Sequence, residues 1–258
     1  MTPHGLLAPD EPAPARLIGA DTKGRALLIC DHASPRIPQS LAGLGLPVEA
    51  MARHIAWDIG AAALTKALSE RLTTPAFLAN YSRLVVDCNR ALTAEDLITT
   101  DGDGHRIAGN EALDPAGRDL RVTAIHHPYH AALSALIDRL AHSGPVALIA
   151  IHSFTPVFRR RARPWVAGVL YGDDDRLAIP LLGALRQQKD GAIGDNEPYS
   201  GRNPGAYTLH RHGSARLIPH VSLEIRQDEL VTPNGVRRWA DRLSRALRPL
   251  LGTAGISP

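Results

Sequence analysis

Short, uniformly apolar runs alternate along the chain with segments of helical periodicity. Runs at 26–30, 76–79, 83–88, 146–151, 165–171 and 220–225 carry few polar interruptions, the pattern of strands buried on both faces, as in a parallel or mixed sheet. Between them, 48–72 places Ile55, Ile59, Ala63, Leu64, Leu68 and Leu72 at three- and four-residue spacing. The span 123–142 does the same with Leu133, Leu136, Ile137 and Leu140, so both are predicted helices. A last helix is predicted to start at Thr232, which can cap, and Pro233, which suits a first turn, and to end near Leu251-Gly252. Helices alternating with buried runs predict an α/β fold, a three-layer sandwich around a mixed, largely parallel sheet. The stretches 91–120 and 191–219 break both patterns, and loops of that length are expected to be either disordered or lids over a site.

Composition narrows the classes. A chain of 258 residues suits one domain over 1–258, with the Pro- and Ala-rich residues 1–20 as a peripheral N-terminal arm, ordered or fraying. No apolar stretch approaches the roughly 18–20 residues that cross a bilayer, so no membrane partner is expected. The opening Met1–Asp10 lacks the basic and apolar regions of a secretory signal, which predicts a cytoplasmic location. The net charge of +3 is small and the Arg159–Arg163 cluster stands without interleaved aromatics. A small anionic substrate therefore fits better than nucleic acid. Cys30 and Cys88 have no CxxC spacing and fall in predicted strands, where reduced Cys packs as a small hydrophobe. Nothing in the pattern defines an oligomeric state.

The candidate chemistry lies where apolar runs end. His32 follows the run at 26–30, His152 closes the run at 146–151, and Glu224 stands inside the run at 220–225. Zinc hydrolases hold their metal with a few His and carboxylate ligands and keep one position open for water. His32 and His152 are accordingly the first ligand candidates, with zinc, or another divalent metal, the expected cofactor. Asp31 or Asp58 could add the carboxylate, with Asp58 preferred; a helix-surface or supporting role for Asp58 is the alternative. Glu224, flanked by Leu223 and Ile225, is a candidate general base, since a buried carboxylate is costly unless paired or poised for proton transfer. Its alternative is a salt bridge with Arg226 or Arg202. His126 and His130, four apart, form a rival metal pair that could equally line a cleft or pack. Arg83 and Arg90, with Asn89 beside the second, suit a substrate carboxylate because a guanidinium binds one through two fixed hydrogen bonds.

His32-Ala-Ser-Pro-Arg-Ile-Pro38, Trp57-Asp-Ile-Gly-Ala61, Ser82-Arg-Leu-Val-Val-Asp-Cys-Asn-Arg90, Pro128-Tyr-His130, Ile151-His-Ser-Phe154, Ser200-Gly-Arg202 and Leu223-Glu-Ile-Arg-Gln-Asp228 follow one another in an order and type that resemble the N-formylglutamate amidohydrolase family. The resemblance covers about residues 25 to 250. It implies a zinc-carboxypeptidase-like (phosphorylase/hydrolase-like) fold, His32 and His152 as zinc ligands, Glu224 as the catalytic glutamate, and Asn89-Arg90 as the grip on a substrate carboxylate. Arg83 or Arg202 would hold a second carboxylate. It further implies hydrolysis of N-formyl-L-glutamate to formate and glutamate, a step of histidine catabolism. Carboxypeptidase relatives place a Glu three residues after the first His, where this chain has Pro35 and then Arg36. That departure leaves Asp58 as the expected third ligand. It also motivates two alternatives: a related enzyme acting on another acyl amino acid or peptide, or a binding protein on the same scaffold.

Overall fold

One sheet runs in the order Ala15–Ile18, Ala76–Ala79, Ala26–Cys30, Ala147–Phe154, His220–Arg226, Ala167–Leu170 and Ile193–Asp195 in the computed structural model. The structure describes residues 5–22, 24–203 and 205–252. Four strand junctions are parallel, and two, Ala15–Ile18 on Ala76–Ala79 and His220–Arg226 on Ala167–Leu170, are antiparallel. The sheet is thus mixed and largely parallel, as the buried runs predict.

Burial on both faces explains why these strands read as unbroken apolar runs. Leu28, Ala147, Ile149, Leu223 and Ile225 pack on one side against the helices Ala61–Leu72, Ala178–Gln187 and Pro233–Gly252. Leu27, Ile29, Leu148 and Ala150 pack on the other against Ile125, Tyr129, Leu133 and Ile137. Those residues belong to a helical span made of Pro115–Arg121, a π-turn over Val122–His126, and His127–Ala141. The last helix begins as its sequence predicts, with Thr232 Oγ1 accepting from the Gly235 N–H at 3.0 Å.

The structure corrects four expectations. Residues 83–88, buried except for the half-buried Arg83, form a loop, not a strand. Their carbonyls are taken by side chains: Asn110 Nδ2 donates to Leu84 O at 2.9 Å, Arg121 to Val85 O at 3.1 Å, and His130 to Cys88 O at 2.8 Å. Cys88 is therefore a buried loop residue, while Cys30 lies in its strand, and both are free thiols. The predicted helix 48–72 is broken: a short turn at Val48–Met51 is followed by irregular chain up to Ala61–Leu72. The break has a local cause at Gly60, whose φ of +80° is left-handed and whose added Cβ would fall 2.3 Å from Leu230 Cβ. Finally, Ala15–Ile18 is an edge strand of the main sheet rather than a peripheral arm, anchored further by Asn80 N–H donating to Pro14 O at 2.9 Å.

Candidate active site

The strand Ala26–Cys30 delivers Asp31 and His32 at its C-terminal end, and the parallel strand Ala147–Phe154 delivers His152. Glu224 pairs in register with His152 on the next strand, so both point to the same face of the sheet. The carboxyl ends of parallel strands are where α/β sheets place ligands. Asp58 comes from the irregular chain before Ala61–Leu72; its backbone N–H donates to His32 O at 3.0 Å, which ties that turn to the first histidine.

These side chains converge. The His32 and His152 ring centroids are 5.1 Å apart. Asp58 Oδ2 lies 2.8 Å from His152 Nδ1 and 3.4 Å from His32 Nδ1. One donor atom from each of His32, Asp58 and His152 falls within 4.8 Å of the others, all three residues being buried. Behind them stand two more carboxylates. Asp87 Oδ1 is 2.8 Å from His32 Nε2, and Asp31 Oδ2 is 3.6 Å from His152 Nε2. Asp31 is itself held by Tyr129 Oη at 2.6 Å and Thr208 Oγ1 at 2.9 Å. It supports His152 from behind, whereas Asp58 occupies the position between the imidazoles.

This donor set fits a divalent metal. Asp87 can only accept, so it draws the proton to His32 Nε2 and leaves the Nδ1 lone pair facing the Asp58 carboxylate. That nitrogen lies 3.4 Å from Asp58 Oδ2, an anionic setting that takes a proton or, in its place, a metal ion. His32 Nδ1, Asp31 Oδ2 and Glu224 Oε2 are buried atoms with no hydrogen-bond partner among the described residues. A carboxylate behind a ligating imidazole is also the usual means of fixing its tautomer and raising its basicity.

The electrostatics point the same way. Burial works against the His152 imidazolium, but Asp31 and Asp58 hold its pKa well above the ordinary value. Burial and Arg83 likewise oppose charge on His32, which Asp87 and Asp58 nevertheless raise. Burial alone would raise Asp58 and Asp87; the imidazoles, with Arg83 beside Asp87, hold both below the carboxylate range. Burial pushes Glu224 up to about 7 against the pull of His152, with Asp58 adding to the rise.

After chelation, a stability profile with a definite sign is expected. Free imidazole titrates near 6.5 and free Glu near about 4.3. In the fold, His32, His152 and Glu224 all keep their protons to higher pH, so the folded state binds more protons and stability falls as pH rises through that window. Asp31, Asp58 and Asp87, all lowered, act at the other end: their contribution is present above about pH 3.9 and is lost as pH falls. Thermal unfolding of chelated protein should therefore peak between about pH 4 and 6.5 and decline toward pH 9. A Tm that climbs steadily from pH 5 to 9 would contradict the assignment.

A cavity of about 740 Å³ opens over this group. Arg83, Asn89 and Arg90 line it together with His32, Asp58, His152 and Glu224. Arg83 Nη2 donates to Asp87 Oδ2 at 2.8 Å. Arg90 Nε donates to Asp96 at 2.7 Å and its Nη1 to Gly205 O at 3.1 Å, and no hydrogen bond involves its Nη2 among the described residues. Asn89 Oδ1 accepts from Thr208 N–H at 3.0 Å, which leaves Nδ2 without a protein partner among them. Both irregular stretches contribute walls: Thr93 and Asp96 from the first, Tyr199, Ser200 and Asn203 from the second.

Three candidate residues fall elsewhere. Arg202 borders a separate cleft with Asp173, Asp174 and Asp175, because the turn at Ser200–Asn203 carries its backbone across the rim. His126 and His130 touch each other, at 4.5 Å between ring centroids, but both spend Nε2 on backbone carbonyls, of Arg90 at 3.0 Å and Cys88 at 2.8 Å. Burial, with His126 and His212 alongside, pushes His130 down to about 3, so it stays neutral. Asp87 is the functional residue that the sequence reading passed over. Its signal was available: it interrupts an apolar run just as Glu224 does.

A mixed α/β sheet that gathers two imidazoles, a bridging carboxylate and an unpaired glutamate at its strand ends has the layout of a hydrolytic site. The model of the N-formylglutamate amidohydrolase family matches residues 24–231, and the chain belongs to that family. It is an amide-hydrolysing enzyme. A gene product of Agrobacterium tumefaciens, known as a crystal structure, is similar at 32% identity and a TM-score of 0.92 over 95% of this chain and 98% of that one. An N-formylglutamate amidohydrolase from Ralstonia eutropha aligns with a TM-score of 0.69 at 19% identity, over 92% and 97% of the two chains, a likeness of fold. Comparison with curated proteins finds no match. Among the described residues no helix is long and apolar enough to cross a membrane.

Proposed function

We propose that this enzyme hydrolyses the formyl amide of N-formyl-L-glutamate, giving formate and glutamate, with a zinc ion held by His32, Asp58 and His152. The observation that carries the reading is the unpartnered Glu224 Oε2, buried on the cavity wall beside two imidazoles that share one carboxylate. A metal at that group would supply Lewis-acid activation of the acyl carbonyl and of water. Glu224 takes the proton of the attacking water and passes it to the departing amide nitrogen, a role suited to a carboxyl whose pKa lies near the working pH. Asp87 and Asp31 keep the two imidazoles oriented throughout. Asn89 Nδ2 and Arg90 Nη2, on the cavity wall, grip a substrate carboxylate and align the scissile bond. Arg83, anchored by Asp87 and 3.9 Å from Asp58 Oδ1, stands nearest the reacting group and is placed to meet a second carboxylate or the developing charge.

The size of the cavity favours a second reading, deacylation of a bulkier acyl or peptidyl amino acid. Its roughly 740 Å³ lies in the range that holds drug-sized ligands and exceeds what formylglutamate fills. Turnover of formyl-, acetyl- and peptidyl-glutamate, together with metal analysis of protein purified without chelator, tests both. Preference for the formyl compound and stoichiometric zinc are expected; a preference for the peptidyl compound selects the second reading, and full turnover without metal removes the zinc.

Arg90→Lys keeps the charge but loses the planar fork. It should raise KM more than it lowers kcat, and the loss should be larger for the free acid than for the corresponding neutral amide. Equal discrimination by variant and wild type would take Arg90 out of the grip.

A further inference from the structure

The loop that carries Asn89 and Arg90 has no ladder partners, and three of its carbonyls are held by side chains from the helix facing it. Arg121 Nη1 donates to Val85 O at 3.1 Å, His130 Nε2 to Cys88 O at 2.8 Å, and His126 Nε2 to Arg90 O at 3.0 Å. A carbonyl only accepts, so both imidazoles carry the proton on Nε2; His130 Nδ1 then accepts from His212 Nε2 at 3.0 Å. The last two bonds fall on the carbonyls either side of Asn89, and so fix the backbone from which both gripping side chains extend. The helix Tyr207–His212 closes the arrangement from the far side, with its Thr208 N–H on Asn89 Oδ1 at 3.0 Å and the His212 ring stacked on His130.

Arg121 and His126 are five residues apart, a spacing that in an α-helix turns side chains about 140° away from each other. Here they share a face because the turn between them is a π-turn, in which His127 N–H bonds Val122 O, five residues back. Pro128 gives a reason for that turn. It has no N–H to donate to Ala124 O, and its ring would crowd that carbonyl in a regular helix. The widened turn relieves the clash and brings Arg121, His126 and His130 onto one line above the loop.

We infer that the π-turn before Pro128 makes this helix a positioning device for the substrate-carboxylate grip, with His126 and His130 as positioning residues that hold the carbonyls flanking Asn89. The inference rests on the proposed role of Asn89 and Arg90, and it gives the His126–His130 pair a function other than metal binding.

The test compares donors kept and donors removed in the full-length enzyme. His126→Gln and His130→Gln keep an amide N–H at the reach of Nε2; His126→Leu and His130→Leu remove it. Each Leu variant should raise KM roughly three- to tenfold for the acyl amino acid with a free carboxylate, the scale of one hydrogen bond, with kcat and the KM of the neutral amide nearly unchanged. Amide hydrogen exchange over residues 86–92 should quicken in the Leu variants without substrate, and the Gln variants should stay close to wild type in both measurements. Should Leu prevent folding, Asn, whose shorter amide does not reach the carbonyls, repeats the comparison. Equal losses on acid and neutral substrate, Gln variants as impaired as Leu, or unchanged exchange over 86–92 would overturn the inference. If Arg90→Lys loses the preference for the free acid while both Leu variants keep it, this inference alone falls; if wild type has no such preference, the grip itself falls and takes the inference with it.

Discussion

Exchanging Glu224 for Gln should leave the fold and the metal content intact and cut kcat about a hundredfold or more, the scale expected when a positioned proton-transfer group is removed. The argument starts from burial. Glu224 sits in the His220–Arg226 strand among Leu223 and Ile225, whose side chains face the opposite core layer. A carboxylate there without a partner on Oε2 is destabilising for the fold, and burial already drives its pKa to about 7. The amide of Gln has nearly the same size and no charge to bury, so the folded protein should be at least as stable as wild type above neutral pH, where Glu224 is ionised. Activity and stability are thus expected to move in opposite directions, which a merely structural salt bridge would not produce. Arg226, the partner such a bridge requires, is bonded instead to Asp228 at 2.7 Å. Measuring kcat and Tm on one preparation decides the matter: a variant with near-normal kcat, or one that is inactive because it unfolds, would return Glu224 to a structural role.

Whether an apolar run is a strand depends on what satisfies its backbone. Where a ladder does, as at 26–30, 76–79 and 220–225, the apolar run is the strand, because both faces must be covered. Residues 83–88 carry the same apolar signature for another reason. Their carbonyls take hydrogen bonds from Asn110, Arg121 and His130, which replace a neighbouring strand as donors, and hydropathy does not distinguish the two. The helix predicted over 48–72 failed for a similarly local reason: Ile55 and Ile59 keep helical spacing with the residues after them, but Gly60 adopts a left-handed turn that brings Asp58 to the imidazoles. Hydrophobic periodicity has no term for a residue pulled out of register by a site.

Within the site, the strand-borne residues were the legible ones. His32, His152 and Glu224 each stand out against an apolar run, whose parallel pairing carries them to one edge. The supporting carboxylates were harder to assign: Asp31 adjoins His32 in sequence and Asp58 is remote from both histidines, and only their approach to different imidazole nitrogens shows which of them lies between the rings. Arg202 was drawn in by the Ser-Gly-Arg motif, yet a turn of a few residues is enough to carry a side chain across a rim.

His32→Ala or His152→Ala should abolish turnover and metal retention together, because each removes one of the three donors that the proposed metal would need. Asp87→Asn offers the sharper comparison. It leaves all three donors in place but alters the group on the far side of His32, from an acceptor that fixes the proton on Nε2 to an amide that can present either end. Loss of such a supporting carboxylate typically lowers metal affinity or activity about 10- to 100-fold. Metal titration of chelated protein should therefore rank wild type above Asp87→Asn, and Asp87→Asn above His32→Ala, with activity in the same order and restored in Asp87→Asn by excess metal. Restoration separates the two roles, since added metal compensates for weakened affinity but not for a missing ligand. If Asp87→Asn binds metal as tightly as wild type, then His32 is oriented by Asp58 and the fold alone. If His32→Ala retains both metal and turnover, the shared His32–Asp58–His152 centre is wrong and the chemistry must be rebuilt around Glu224 and Arg83.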